Sequence, residues 1–171
     1  MKPLVREALL ITEDLGRVVF IGAIARYFHT RVYRESTDLD FAVERPIEVQ
    51  ELNGKGYNQF ERNGKLQWFT PRGVKIDIYT RDVSGIPIEK IMQSSKEFPV
   101  GKTGESVRVM SLESLVVSKH RAQRAGDVED LQVISSTRFK EIRWDALREI
   151  TRDAHEFDSI RSDLTYLSKY W

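Results

Sequence analysis

The spacing of apolar positions changes several times along the chain, and each change predicts an element. Leu4, Ala8, Ile11 and Leu15 recur at helical spacing with Gly16 as a stop signal, which predicts a helix over Leu4–Leu15. "RVVFIG", Arg17 to Gly22, is β-branched and apolar without alternation, the pattern of a central strand buried on both faces. Ala23 to His29 returns to helical spacing, with Ile24, Tyr27 and Phe28 on one side. "DLDFAVE" alternates as a strand, and "IEVQELNGKG" reads as a short helix ended by glycine. "YNQFER" and "KLQWFTP" are strands joined by Asn63-Gly64, a strong hairpin signal, and "VKIDIYT" is a third. "IPIEKIMQSS" predicts a helix, followed by strand-like pieces around Phe98 and Val107. From Ser111 the pattern is helical almost to the end, and no repeat or low-complexity tract interrupts it.

These elements predict an α/β (α+β) protein, a mixed sheet flanked by helices over residues 1–110 with a helical extension over residues 111–171. The 171 residues suit one domain of moderate size, and 40% hydrophobic with 31% charged residues is a soluble globular composition. A formal net charge of +1 gives no global field to attract nucleic acid, so any such contact needs a local patch. The absence of cysteine excludes disulfides, thiolate zinc sites and a cysteine nucleophile. The apolar runs, such as "VVFIGAIA", are too short for a membrane span, and "MKPLVREALLITED" carries acids too early for a signal peptide. The expected location is cytoplasmic, with no membrane partner.

The chemistry begins in "ESTDLDFAVE", Glu35 to Glu44. Strand alternation sends Leu39, Phe41 and Val43 one way and Asp38, Asp40 and Ala42 the other. "VKIDIYT" repeats the scheme, with Val74, Ile76 and Ile78 on one face and Lys75, Asp77 and Tyr79 on the other. If the two strands are neighbours, three carboxylates meet on one open face, where they repel and resist ionisation. A hard, oxygen-liganded cation, Mg²⁺ or Mn²⁺, offsets that repulsion, with substrate phosphates completing its shell. By itself Asp-x-Asp is more often a wet strand face. Upstream, "FIGAIARYF" joins a strand to a helix through a glycine turn, whose backbone N–H groups and positive helix end suit a phosphate.

These residues resemble the nucleotidyltransferase superfamily of the DNA polymerase beta type. Its pattern is an apolar residue, Gly, then Gly or Ser, a short helix, Asp-x-Asp and a third Asp on a later strand. Here Ile21-Gly22-Ala23, Asp38-Leu39-Asp40 and Asp77 match, and Arg34, Ser36 and Asp38 of "RESTD" fit the Arg-x-Thr/Ser-x-Asp form of small prokaryotic members. The resemblance covers about residues 15–80. It implies that Asp38, Asp40 and Asp77 are catalytic and hold the metal, that Gly22 and Ala23 cradle phosphates through their N–H groups, and that Arg34 and Ser36 belong to the nucleotide site. Ala23 departs from the pattern. It keeps the N–H but lacks the hydroxyl a serine would offer.

A second signal lies in "SLESLVVSKHRAQRAGDVEDLQVI", Ser111 to Ile134. Leu112, Leu115, Val116 and Lys119 share one helical stripe, so Lys119 points to the core or a pocket rim. A plain account has Lys119 snorkelling, Gly126 ending one helix, and Asp127 capping the next with Asp130 in its first turn. The segment also looks like the C-terminal block of the nucleotidyltransferase toxins of type IV abortive-infection toxin–antitoxin systems. That resemblance implies that Lys119 contacts nucleotide phosphates and that Asp127 orients basic groups or joins the site. Other candidates are weaker. His29, His120 and His155 have no metal spacing. "KHRAQR" could bind RNA but reads better as a solvated helix face, and Trp68, Trp144 and Trp171 read as packing residues. Arg152 to Trp171 is a charged helix whose Phe157, Ile160, Leu164 and Leu167 face the core or a homodimer partner.

The expected activity is Mg-dependent transfer of a nucleoside monophosphate from an NTP (ATP or GTP) to an acceptor hydroxyl on tRNA or other RNA, a protein or a small molecule. An antitoxin is a candidate partner. Two rivals stay open: a catalytically degenerate member that binds nucleotide or a partner, favoured by Ala23, and a metal-dependent nuclease using the same carboxylates.

Overall fold

A computed structural model describes all of residues 1–171. The chain begins with α1 (Pro3–Leu15), which Pro3 starts at a position where its missing N–H costs nothing and Gly16 stops at φ +78°. Then come β1 (Val18–Phe20), α2 (Gly22–Thr30), β2 (Asp38–Val43), α3 (Val49–Gly54), β3 (Asn58–Arg62), β4 (Lys65–Phe69) and β5 (Lys75–Tyr79). The two-residue strands β6 (Asp82–Val83) and β7 (Ile86–Pro87) form a small separate ladder that the sequence pattern did not suggest. They lead into α4 (Ile88–Ser94), so the helix of "IPIEKIMQSS" starts two residues late. After β8 (Lys96–Val100) and β9 (Glu105–Val109) the chain is helical: α5 (Leu112–Ala122), α6 (Ala125–Arg138), a short 3-10 turn (Phe139–Glu141), α7 (Trp144–Ile150) and α8 (Ala154–Tyr170).

Seven strands form one mixed sheet in the order β3-β4-β5-β2-β1-β9-β8. β2 runs parallel to β5 and antiparallel to β1, while β1 runs parallel to β9. The β3–β4 hairpin turns through Asn63 and Gly64, both at positive φ as a two-residue hairpin turn requires. The central strands bury both faces: Val18, Val19 and Phe20 are all inaccessible. β3 lies at the edge and is exposed throughout.

One continuous apolar cluster runs from Leu4 and Ile11 of α1 through Phe20, Leu39, Phe41 and Ile76 of the sheet to Leu115, Ile134, Phe157 and Leu164 of the helices. The sheet and the C-terminal helices therefore share a core. α2 packs on β2 and β9 and also against α5 and α6. α8 lays Phe157, Ile160 and Leu164 inward and packs chiefly against α6. Trp144 packs between Phe139 and Phe157, whereas Trp171, read as a packing residue, is 70% exposed at the end of α8.

Candidate active site

Register brings the three carboxylates together. β2 and β5 are parallel neighbours with Asp40 opposite Asp77 and Asp38 opposite Lys75, so all four side chains stand on one face. The other face carries Leu39, Phe41 and Ile76, which are buried and lock the register, since a one-residue slip would turn the acids inward. Asp38 is held by its own loop: Ser36 Oγ donates to its main-chain oxygen at 3.1 Å and to Oδ1 at 3.2 Å, and Thr37 Oγ1 donates to Oδ1 at 3.3 Å. Lys75 Nζ lies 3.5 Å from Asp38 Oδ2 and 3.4 Å from Asp77 Oδ2.

Asp40 is the deepest of the three. Burial first, then the neighbouring charges of Asp77 and Asp38 and a hydrogen bond with Asp77, push its carboxyl up to about 6. Burial and the charges of Asp40 and Asp77 likewise raise the Tyr79 phenol above its ordinary value. Partial burial works against the Lys75 ammonium, but Asp77 and Asp38 raise it overall.

Gly22 meets this acid directly. It opens α2 at φ +61°, and a Cβ there would lie 2.9 Å from Asp40 Oδ2. Both the backbone conformation and the close approach demand glycine. The preceding Ile21 provides no side-chain cap, so the first-turn N–H groups of Gly22 and Ala23 are free of helical partners beside the carboxylates.

A second charge cluster lies behind α2. Lys119 Nζ contacts Asp127 Oδ1 and Asp130 Oδ2, each at 2.8 Å. Arg26 Nε approaches Asp130 Oδ1 to 2.9 Å without hydrogen-bond alignment, and Arg34 reaches Asp130 Oδ2 at 3.4 Å. Arg124 Nε donates to Asp127 Oδ2 at 2.7 Å. Burial opposes ionisation of Asp127, yet hydrogen bonds from Arg124 and Lys119 hold its carboxyl below the ordinary range. Burial lowers the Arg26 guanidinium.

The expected nucleotide-site residues therefore divide. Gly22, Ala23, Ser36 and the three aspartates converge. Lys119 is 9% exposed, and its ammonium ends in ion pairs rather than in open space. Asp127 orients basic groups, Lys119 and Arg124, and is buried with them. Arg34, 32% exposed, turns toward α6, where its Nη1 would meet a Cβ at Gly126 at 2.9 Å. Gly126 does not end a helix. Gln123, at φ +50°, caps α5, and Asp127 is the third residue of α6, accepting from the Arg124 backbone N–H at 3.2 Å. "KHRAQR" is not a free face either: His120 pairs with Asp163, Arg121 grips Glu156 with two nitrogens, and Arg124 binds Asp127. The glutamate is thereby held at about 2.

Two residues carry more than the sequence suggested. Asp130, fully buried, binds three cations. Arg124 is 79% exposed, anchored by one nitrogen and electrostatically within reach of Asp40 and Tyr79. Its place in Arg-x-x-Asp-x-x-Asp was the available signal.

No three acidic or histidine side chains are drawn into a closed metal cage, and Lys75 stands beside two of the three aspartates. The donor chemistry nevertheless fits a hard divalent cation. It is all carboxylate, its negative charge exceeds the one contacting cation, and its deepest member resists ionisation.

A family described as nucleotidyl transferase of unknown function (DUF2204) matches residues 5–164. The chain belongs to this family. The nucleotidyl transferase fold is shared with an antigenic nucleotidyltransferase-like protein from Paracoccidioides brasiliensis, at a TM-score of 0.57 and 12% identity over 97% of this chain and 90% of the other. JHP933 from Helicobacter pylori is similar at a TM-score of 0.54 and 16% identity over 98% of this chain and 90% of the other. No curated protein matches the chain. No helix is long and apolar enough to cross a membrane.

Proposed function

We propose that this nucleotidyl transferase family member moves a nucleoside monophosphate from an NTP to an acceptor hydroxyl in a Mg²⁺- or Mn²⁺-dependent reaction. The observation that supports it most is the in-register facing of Asp40 and Asp77 beside Asp38, with Gly22 pressed against Asp40. Asp38, Asp40 and Asp77 would hold the metal, which supplies charge neutralisation for the reacting phosphoryl group and a more acidic acceptor hydroxyl. Asp77 is the more exposed partner of the pair and faces an incoming acceptor, whose proton it can accept. Gly22 and Ala23 turn free N–H groups toward the phosphates, where the positive end of α2 adds to them. The buried cluster carries four cations on two carboxylates, a surplus of positive charge next to a surplus of negative charge. Its two solvent-reaching members, Arg34 and Arg124, are the phosphate contacts, and Lys119 holds Asp127 and Asp130 so that both arginines stay in place.

Ala23 favours a second reading, nucleotide binding without transfer, because no hydroxyl joins the N–H groups at the turn. Incubation with α-³²P-labelled NTPs, Mg²⁺ and a choice of tRNA, protein or small-molecule acceptors separates the readings. Label on an acceptor with pyrophosphate release establishes transfer, and the acceptor that takes it decides whether the toxin-like role and an antitoxin partner follow. Binding without release leaves the second reading, and cleavage of added RNA points to a nuclease.

A further inference from the structure

Lys75 is the only cation that forms an ion pair within the group of three carboxylates, and nothing in the family pattern accounts for it. Its ammonium stands between the two outer acids, 3.5 Å from Asp38 and 3.4 Å from Asp77. We infer that Lys75 is a displaceable counterion that competes with the metal for Asp38 and Asp77, so that metal binds firmly only in company with the NTP polyphosphate. The inference rests on the proposed metal-dependent reading of this face.

A Mg²⁺-sized ion lies about 2.0–2.1 Å from its oxygen ligands. An ammonium within 3.5 Å of one oxygen of both Asp38 and Asp77 lies where an ion shared by these two carboxylates would be drawn. A dication a few ångströms from an ammonium is repelled strongly at the low effective dielectric of a partly covered face. The lysine must therefore leave when the metal arrives. It can do so: its side chain is partly exposed on a flexible four-carbon stem, and it makes no other ion pair.

A purely structural role fits less well. β2 and β5 are joined by five consecutive register pairs with buried Leu39, Phe41 and Ile76 beneath, so the strands need no side-chain bridge to stay together. Nor does one ammonium balance three carboxylates: it reaches Asp38 and Asp77 but not Asp40. The metal alone must therefore evict a tethered cation that then faces only water. With a polyphosphate present, the released ammonium finds phosphate oxygens. Lys75 thus links metal binding to nucleotide binding and keeps the free enzyme from holding a catalytic metal without substrate.

Mn²⁺ binding, read from the electron paramagnetic resonance signal of the free ion, tests this without any turnover. Wild type, Lys75→Met and Lys75→Gln are titrated with and without a non-hydrolysable NTP analogue, and circular dichroism checks that each is folded. Wild type binds Mn²⁺ weakly alone and more tightly with the analogue, beyond the Mn²⁺ that the analogue holds without protein. Both variants bind Mn²⁺ alone roughly tenfold more tightly than wild type, since one repelling charge is gone, and gain less from the analogue. Equal or weaker Mn²⁺ affinity in the variants, with wild type binding in the presence of the analogue, overturns the inference and leaves the metal site standing. No Mn²⁺ binding by wild type under either condition overturns both.

Discussion

Two charge clusters touch the same short helix and are built on opposite terms. Behind α2, Arg26 joins Asp130, Lys119, Arg34 and the Asp127–Arg124 pair in a cluster where every carboxylate has at least two cationic contacts and the acids are almost wholly buried. In front of it, Gly22 abuts Asp40 in a half-open group of three carboxylates with one contacting lysine. The rear carboxylates are paired by the chain itself, and these pairs hold α2 to α5 and α6. The front cluster is left short of positive charge, which a protein tolerates where something else supplies it. Carboxylates at a strand face or helix stripe are thus best separated by whether the chain itself pairs them with cations.

The largest test of that contrast falls on the rear cluster. Asp130→Ala leaves Arg26 and Lys119 buried without their shared partner and should cost about 3–5 kcal/mol of stability, read from urea unfolding midpoints. A loss under about 1 kcal/mol would show the rear cluster to be dispensable and dissolve the contrast.

The front cluster should reveal itself through pH. The Asp40 carboxyl is raised in the folded protein from 3.8 to about 6, so between those values the folded state retains a proton that the unfolded chain has lost. Metal-free stability contributed by Asp40 therefore falls as pH rises from about 4 through 6, by about 3 kcal/mol in all. Asp127, lowered in the fold, works the other way and loses its contribution as pH falls below its ordinary range. Thermal unfolding from pH 4 to 8 in wild type and Asp40→Asn isolates the Asp40 part as the difference between the two curves. Parallel curves would contradict it.

Much of this site was legible in the chain. Alternation along "DLDFAVE" and "VKIDIYT" places Asp38, Asp40 and Asp77 on one face, and Gly22 marks the turn because only glycine accepts both its φ and the contact with Asp40. The same alternation put Lys75 on that face, but its role depends on a cross-strand register that no single strand reveals. Asp130 was hidden for a related reason. Locally it looks like a first-turn helix acid, and its partners Arg26 and Arg34 lie on distant segments. The basic run from Lys119 to Arg124 was misread because its acids, Asp127, Glu156 and Asp163, are brought in by folding. The tiny β6–β7 ladder, with two residues per strand, is too short to show a period.

Smaller effects sharpen the front of the contrast. Gly22→Ala forces a Cβ against Asp40 at a left-handed backbone position and should cost about 1–2 kcal/mol, with loss of any nucleotide-induced rise in melting temperature. A retained nucleotide shift would remove this turn from the phosphate site. Trp171→Ala, at an exposed helix end, should stay within about 0.5 kcal/mol. A larger loss would mean that the end of α8 is covered by a partner in solution.

Asp40→Asn is the decisive variant, because its two readouts should move in opposite directions. Removing a buried, repelled carboxylate should stabilise the metal-free protein by up to about 3 kcal/mol at pH 7, raising the melting temperature by about 2–4 °C for each kcal/mol, while Mg²⁺-dependent release of pyrophosphate disappears. A variant that is less stable than wild type, or one that still turns over NTP at the wild-type rate, would contradict the assignment of this carboxylate face as the active site.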